Sequence, residues 1–307
     1  MLQQELQYML TIAREKSISR AADKIHITQP ALSLYLSRLE KQLGTPLFDR
    51  KRMELTYAGQ QYIKMALQVE RLYRNFELEL CSINQQQAGI LTIGTSPHIG
   101  SNILPYVLPI FKRAYPHIQI HLVEGRTNEL EKKMSKNEVD LSLIHLPFND
   151  EQFPYEYIGK APFVLAMKKN HPLLEKAYKK PDSNKLYLPL SALADEDFIM
   201  AFPHQGVRRI TDRILAKAGI KPHIVMNTSS VETAALLAGA GLGVYFLPED
   251  YISLFNYGEY EPAYCYFEDE CDVYWEFVIA HTHKDINNLS GAEKLFIKLS
   301  KEAFLRK

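Results

Sequence analysis

Near the N-terminus, small polar and basic side chains recur at a spacing that suits contacts with DNA. Thr28 is a good helix N-cap, and Pro30 falls in the first turn of the helix that would follow, where its missing N–H costs nothing. One face of that helix carries side chains that can reach base edges or phosphates: Gln29, Pro30, Ser33, Leu34, Ser37 and Arg38. Glutamine can pair with adenine, serine with several bases, and proline ring carbons can contact a thymine methyl group. The pattern predicts a recognition helix for the major groove.

Three consecutive basic residues follow the predicted recognition helix. Residues 48–49 and 54–57 are typical of the strands of a short hairpin, which places Arg50, Lys51 and Arg52 at its tip. Such a tip can neutralise phosphates or enter the minor groove. The sequence therefore predicts a basic wing beside the recognition helix.

Shorter helices must hold the recognition helix in place. Helical spacing of apolar residues predicts a first helix over 2–16, and Ser17 or Ser19 can cap a second one. A tight turn at 26–27 leads into the third helix, and Gly44 is suited to end it. The third helix places four leucines on one face that we expect to be buried: Leu32, Leu36, Leu39 and Leu43. This order of helices and turn predicts a helix-turn-helix.

A proline-free stretch from Ala58 to about Gln86 predicts one long helix. Its apolar residues recur in steps of four and three, the spacing of a heptad seam: Tyr62, Ala66, Val69, Tyr73, Phe76, Leu80 and Ile83. Self-pairing along this seam would set two recognition helices at the spacing of a two-fold symmetric DNA site. The alternative is that the stripe packs on the rest of the same chain. Residues 85–89 are typical of a flexible hinge.

The remaining residues alternate between apolar β runs and amphipathic helices. Strands are predicted at 90–95, 118–123, 139–144, 163–167, 198–201, 223–227, 243–247 and 273–281. Helices are predicted at 101–114, 129–136, 206–218, 230–239 and from about 289. This order implies parallel sheets covered by helices, arranged as two lobes around a cleft in the manner of periplasmic binding proteins. Such clefts bind small polar ligands, and hinge motion couples binding to shape.

A family resemblance is carried by short motifs that occur together and in register. In the N-terminal segment they are Ser19-Arg20-Ala21-Ala22, Thr28-Gln29-Pro30-Ala31-Leu32-Ser33, Leu39-Glu40, Leu43-Gly44, Pro46-Leu47-Phe48, Leu55-Thr56 and Ala58-Gly59. This segment resembles the winged helix-turn-helix of LysR-type transcriptional regulators. Weaker matches at 91–94, 104–105 and 239–243 resemble the effector-binding domain of that family. Leu34 stands where family members often carry a basic residue, so the target DNA sequence does not follow from the resemblance.

The resemblance implies an α+β multidomain fold for the whole chain. The expected parts are a winged helix-turn-helix DNA-binding domain (1–58), a dimerising linker helix and hinge (59–88), and a two-lobed α/β periplasmic-binding-protein-like effector domain (89–307). Lobe I is expected at about 90–161 and 268–307, and lobe II at about 162–267. The resemblance further implies a cytoplasmic homodimer or homotetramer that binds double-stranded DNA and a small-molecule effector, with RNA polymerase as a partner if the protein is an activator.

Three segments of the body match the places where that family holds its effector. Their candidate residues are Thr95, Ser96 and His98, then Pro203, His204 and Arg208, then Thr228 and Ser229. Hydroxyls and the free N–H groups of a helix N-terminus can hold a carboxylate, and an arginine can clamp one bidentately, so an anionic effector is favoured. In the alternative interpretation, Thr228 or Ser229 is simply an N-cap and Arg208 is a solvated helix residue.

Other motifs carry less weight. The run 239–243 (GAGLG) lacks the strand–glycines–helix order of a dinucleotide site, so its glycines are expected to end a helix and allow close packing. His281 and His283 alone make a weak metal site, and acidic neighbours oppose redox reactivity of Cys265 and Cys271. No catalytic set, metal site or cofactor is predicted.

Composition limits the remaining choices. The chain of 307 residues carries 36 Lys+Arg and 36 Asp+Glu and is 46% hydrophobic, which is ordinary for globular domains. No apolar run approaches the roughly 18 residues of a membrane span, and three scattered cysteines favour a reducing cytoplasm. The leading hypothesis is a ligand-responsive transcription factor. The alternatives are a ligand-sequestering protein or a cleft enzyme, either with a non-specific DNA-binding head.

Overall fold

The computed structural model describes residues 2–50, 52–84, 89–148, 153–254, 256–267, 274–282 and 288–305. The described chain forms an N-terminal head, a long connecting helix and a two-lobed α/β body.

The head is a small helical domain with a hairpin. Its elements are α1 (Leu2–Glu15), α2 (Ile18–Lys24), α3 (Gln29–Leu43), β1 (Phe48–Asp49) and β2 (Glu54–Leu55). The Thr28 hydroxyl caps α3 by accepting from the Ala31 N–H at 3.4 Å, and Gly44 ends it in the left-handed conformation at a φ of 69°. The expected buried face of α3 is wrong in its last turn, since Leu43 is 46% exposed. Leu47 and Phe48 fill that end of the core instead.

The connecting helix α4 spans Tyr57–Asn84. Its predicted seam does not form one unpartnered stripe. Ala66 is fully buried against Leu6 and Leu10 of α1, so the first half of the seam is covered by the chain's own head. Farther along, Tyr73 and Phe76 are exposed by 42% and 56%. The Ile83 side chain and residues 85–88 of the predicted hinge lie outside the described residues.

Two arginines attach α4 to the body. Arg74 contacts the Asp140 carboxylate at 3.1 Å and donates to the Asn137 carbonyl at 2.6 Å. Arg71 donates to the Asn137 side-chain oxygen at 3.2 Å, and Asn137 in turn donates to the Leu67 carbonyl at 2.6 Å. We call these five residues the linker clamp. It joins the connecting helix to the loop at residues 136–140 of the body.

Lobe I is a parallel sheet with helices on both faces. Its elements are β3 (Ile90–Thr95), α5 (Pro97–Ala114), β4 (Gln119–Glu124), α6 (Thr127–Ser135), β5 (Leu141–His145), β13 (Tyr274–His281) and α9 (Gly291–Leu305). β3 pairs in parallel with β4 and β5, and β13 adds an antiparallel strand beside β5. The helix predicted at 101–114 begins earlier, because Ser96 caps it and Pro97 occupies its first position.

Lobe II is built around the second half of a strand that crosses both lobes. Its elements are β7 (Tyr178–Lys179), β8 (Leu186–Tyr187), β9 (Asp197–Ala201), α7 (Gly206–Lys217), β10 (His223–Thr228), α8 (Val231–Ala240), β11 (Tyr245–Pro248) and β12 (Ala263–Cys265). The strand predicted at 163–167 is only the end of β6 (Tyr155–Met167). β6 first pairs with β13 of lobe I and then with β11 and β12 of lobe II.

The glycines of 239–243 behave as expected from their order in the sequence. Gly241 ends α8 in the left-handed conformation at a φ of 95°. A Cβ on Gly239 would lie 1.8 Å from the Tyr260 carbonyl oxygen, so this position requires glycine for close packing. No helix within the described ranges is both long and apolar enough to cross a membrane.

Candidate functional site

The outward face of α3 is open to solvent. Gln29, Pro30, Ser37 and Arg38 are exposed and Ser33 is half-buried, while Leu32 and Leu36 on the opposite face hold the helix in the head core. Leu34 is 53% exposed, which leaves a large apolar side chain in the middle of the polar face. This face therefore presents side chains of the types that can hydrogen-bond to base edges, on a helix that the head core already holds in place.

The wing forms as predicted from the strands β1 and β2, which pair Phe48 with Leu55. Arg52 is exposed at its tip, whereas Arg50 is drawn back toward α3, where it forms an ion pair with Glu40. Glu40 also accepts from the backbone N–H groups at the start of the wing, at 2.8 and 3.2 Å. Lys51 lies outside the described residues.

In lobe I, the predicted effector residues surround the end of β3. Thr95 is fully buried, and its hydroxyl donates to the Ser96 carbonyl at 3.1 Å. The half-buried Ser96 accepts through its hydroxyl from the Ile99 N–H at 3.3 Å, as the cap of α5. The His98 side chain is 9% exposed, contacts the Asp250 carboxylate at 2.7 Å and stacks on Tyr251.

In lobe II, the predicted residues lie at the starts of α7 and α8. Pro203, His204 and Ser229 are exposed, and Gln205 joins the two helix starts by donating to the Ser229 carbonyl at 3.0 Å. Arg208 is held by the Asp212 carboxylate at 2.8 Å and the Ala201 carbonyl at 3.1 Å. Its guanidinium is therefore already engaged within lobe II.

The cap of α8 differs from both candidates named from the sequence. The Ser230 hydroxyl accepts from the Thr233 N–H at 3.1 Å, so Ser230 is the N-cap. Thr228 supports it by accepting from the Ser230 N–H at 3.2 Å. The alternative interpretation that Thr228 or Ser229 caps this helix is wrong by one or two residues.

Two aromatic residues that the sequence did not single out lie where the lobes meet. His145 ends β5 and Trp275 lies near the start of β13, and their ring centroids are 4.1 Å apart. Trp275 also reaches Gly206, the first residue of α7. In the sequence, each of the two residues is marked only by its position near the end of a strand. The antiparallel pairing of β13 brings them together, and no pattern among neighbouring residues indicates that pairing.

Burial controls the charge state of groups in this region. Burial, and secondarily the neighbouring His98, lowers the pKa of His145 well below its usual value, so its imidazole is neutral at neutral pH. Burial raises the pKa of the Cys265 thiol to about 11, which opposes thiolate formation. Cys271 and His283 lie outside the described residues. Within the described part of the chain, no group of three or more His, Cys, Asp or Glu side chains could hold a metal ion.

Comparisons with known proteins match both parts of the chain. Residues 3–60 match the family model for the bacterial regulatory helix-turn-helix protein, lysR family. Residues 84–261 match the model for the LysR substrate binding domain.

Individual relatives match over most of the chain. An uncharacterized HTH-type transcriptional regulator, YcgK of Bacillus subtilis, is 34% identical over 257 residues, covering 79% of this chain and 78% of the relative. The Hca operon transcriptional activator HcaR of Escherichia coli is 31% identical over 258 residues, covering 83% of each chain. A full-length OxyR variant of Pseudomonas aeruginosa has a similar structure, with a TM-score of 0.69 and 25% identity, covering 99% of this chain and 94% of that one.

Proposed function

The chain belongs to the LysR family of DNA-binding transcriptional regulators, whose activity a small-molecule effector modulates, and from this premise we propose how its own residues divide that work. The exposed face of α3 reads base edges, the wing contacts the backbone, and the cleft between the lobes holds the effector. The observation that carries the proposal is the exposed polar face of α3, beside a wing and on a helix that is packed into the head core on its other side.

Base reading is assigned to Gln29, Pro30, Ser33 and Ser37 of α3. Arg38 on the same helix and the wing residues Arg50, Lys51 and Arg52 are assigned to phosphates. Leu34 offers only an apolar contact, such as one with a thymine methyl group. Phosphate contacts position the head and base contacts specify the sequence, so the two groups have different effects when mutated.

Self-association is assigned to the exposed second half of the seam on α4. Tyr73 and Phe76 of the seam and the adjacent Leu72 are exposed by 42%, 56% and 64%, so the described part of this chain leaves these large apolar side chains partly uncovered. A homodimer formed through this face sets two heads on one DNA site. A dimer of dimers would extend the protein's contact along the DNA. RNA polymerase is a further partner if the protein activates transcription.

The effector is assigned to the cleft lined by Thr95, Ser96, His98, Pro203, His204, Arg208, Thr228 and Ser229. The starts of α5 and α7 supply partial positive charge there, which favours an anionic ligand. Ser96 is half-buried and the 203–204 loop is exposed, so an effector entering from solvent can reach both. Closure of the lobes around the effector would then change the spacing of the heads.

The test is a nuclease footprint on DNA upstream of the protein's own gene, with competitor DNA at physiological salt, because weak-salt binding is non-specific. We expect a protected region with two-fold related half-sites. In the Gln29→Ala/Ser33→Ala double variant, specific affinity should fall by about 1–3 kcal/mol per lost base contact while non-specific affinity is unchanged.

Gln42→Ala is the matched control, because Gln42 lies on the opposite side of α3 from Ser33 and is open to solvent. It should footprint like the unaltered protein. A double variant that keeps full specific affinity would contradict the assignment of α3. An unaltered protein without a footprint would favour the sequestering function instead.

A further inference from the structure

Trp275 is the single tryptophan of the chain, and its indole N–H is buried without an acceptor among the described residues. The side chain is 7% exposed and stacks on Phe163, with ring centroids 5.6 Å apart and planes at 4°. Burying a hydrogen-bond donor without a partner destabilises the fold, and native folds rarely keep one. The position of this N–H therefore points to an acceptor supplied by a ligand.

The start of α7 faces the same corner. A Cβ on Gly206 would lie 3.5 Å from Cζ2 of Trp275, the ring carbon on the same edge of the indole as Nε1. The N-cap residue Gln205 gives no side-chain hydrogen bond to the first turn, since it binds the Phe202 N–H and the Ser229 carbonyl. The positive end of this 12-residue helix, with first-turn N–H groups that its N-cap side chain does not satisfy, therefore lies beside the Trp275 indole.

A second unpartnered polar atom adjoins this corner. His145 is 9% exposed, and its Nε2 has no hydrogen-bond partner within the described chain. The ring lies edge-on to Trp275, which restricts the orientation of the indole. A neutral imidazole adds one hydrogen-bonding nitrogen and no charge.

We propose that Trp275 Nε1, the first-turn amides of α7 and His145 Nε2 form a carboxylate-binding subsite of the effector cleft. This inference rests on the effector function proposed above and names the chemical class of the ligand. Uncharged donors and a helix dipole suit a single negative charge. A dianionic phosphate would call for a cation, and the guanidinium of Arg208 is turned toward Asp212 and Ala201.

The subsite lies at the N-terminal end of α7, and one side of α7 faces the connecting helix α4. Ile210 and Arg213 of α7 line a cavity of about 1580 Å³ together with Ile63, Lys64 and Leu67 of α4. The gap between Gly206 and Trp275 admits no more than a methyl group, since a Cβ on Gly206 would already be in ordinary contact with the indole. A carboxylate entering there must therefore separate α7 from Trp275. That displacement moves α7 relative to α4, which links the subsite to the heads.

The single tryptophan makes the subsite directly observable. The full-length protein is titrated with acetate, propionate, succinate and phenylacetate, and with the uncharged amide of each, while Trp275 fluorescence is recorded. We expect at least one carboxylate to change the emission saturably and its amide to bind at least about 10-fold more weakly, as for loss of a charged hydrogen bond.

Two variants then test the named atoms with that carboxylate. Trp275→Phe keeps an aromatic ring but loses the N–H, and calorimetry should show about 10–100-fold weaker binding. Gly206→Ala adds a methyl group in ordinary contact with Trp275, so it fills the corner while keeping the reporter, and it should weaken binding similarly. Tyr274→Phe is the control, because Tyr274 lies on the other face of β13, under Lys160, and should leave affinity unchanged.

The inference is overturned if no carboxylate alters Trp275 emission, if amides bind as well as acids, or if both corner variants keep full affinity. Footprinting each variant separates this result from failure of the proposed function. A variant that still footprints but binds the carboxylate weakly supports the subsite. If the unaltered protein gives no footprint, the proposed function fails independently of the titration.

Discussion

The guanidinium of Arg50 lies against α3, where it pairs with Glu40 and approaches the Ser37 hydroxyl at 3.4 Å. Arg52, two residues later, is exposed at the tip of the wing. The sequence presents them as equivalent phosphate contacts. Because Arg50 has a carboxylate partner that also binds the wing backbone, it helps to orient the wing in addition to its proposed phosphate contact. The side chain of Arg52 extends into solvent at the tip, where we propose that it meets DNA.

Arg52→Ala should weaken binding to specific and non-specific DNA alike. The loss of one phosphate contact should reduce the slope of log affinity against log salt by about 1. Binding titrations over a range of salt concentrations check this. Lys132→Ala, an exposed basic residue on α6, is the control and should leave the slope unchanged. If the salt slope of Arg52→Ala equals that of the unaltered protein, the wing tip does not contact the DNA phosphates.

At the scale of elements, α9 begins with a buried capping pair. Glu293 is 1% exposed and its carboxylate accepts from the Ser290 N–H and hydroxyl, both at 2.8 Å. Burial raises the pKa of Glu293 to about 7, with Asp140 raising it further and Arg74 lowering it. Between about pH 4.5 and 7 the native state therefore keeps a proton on Glu293 that the unfolded chain releases. The free energy of unfolding falls as the pH rises through this range, because deprotonation favours the unfolded chain.

Glu293→Gln should remove this part of the pH dependence. A glutamine oxygen can still accept from Ser290, and it does not ionise. Relative to the unaltered protein, the variant should gain up to ~3 kcal/mol of unfolding free energy between pH 5 and pH 8. Urea denaturation at the two pH values measures the gain. Glu302→Gln on the same helix, with a side chain 46% exposed, should change the free energy by less than ~0.5 kcal/mol at either pH. Equal pH profiles for Glu293→Gln and the unaltered protein would contradict the buried, protonated state.

In the molecule as a whole, α4 joins the head to lobe I. Its first half packs on α1 of the head, Leu78 enters the body core, and the linker clamp binds Arg71 and Arg74 to lobe I. The exposed face that remains, around Phe76, is therefore the face that we assign to a second molecule. A change in the body can reach the heads through one continuous helix.

Phe76→Glu should convert the protein to a monomer. Replacing a central aromatic anchor with a charge should cost about 2 kcal/mol or more, or roughly a 30-fold rise in the dimer dissociation constant. Analytical ultracentrifugation over a concentration series measures it. Tyr260→Glu, in lobe II and similarly exposed at 48%, is the control and should keep the assembly. A Phe76→Glu protein that remains dimeric would show that another surface holds the copies together.

Local signals in the sequence determined the parts that local physics controls. Caps at Ser17 and Thr28 and the left-handed Gly44 set the helix ends of the head, and the alternating apolar runs set most strands and helices of the body. These features depend on neighbours within a few residues, so their pattern is written along the chain. The family resemblance, confirmed by the matches to both of its domain models, rests on the same local runs.

Tertiary structure alone decided what distant residues do together. That β6 crosses both lobes follows from its pairing with the distant strand β13, in which Pro162 lies opposite Tyr274, and residues 155–162 carry no periodic signal of it. Pairing of β13 with β5 brings Trp275 beside His145, and packing of α7 places Gly206 near the same indole. Trp275 Nε1 and His145 Nε2 are left without partners among the described residues. Folding also gives Arg50 a carboxylate partner, Glu40, that the sequence did not single out. Arg50 lies in the wing and Glu40 on α3, so their contact depends on how the wing packs against that helix. The pair of Arg208 and Asp212, by contrast, lies four residues apart on one helix, a spacing that the sequence itself contains.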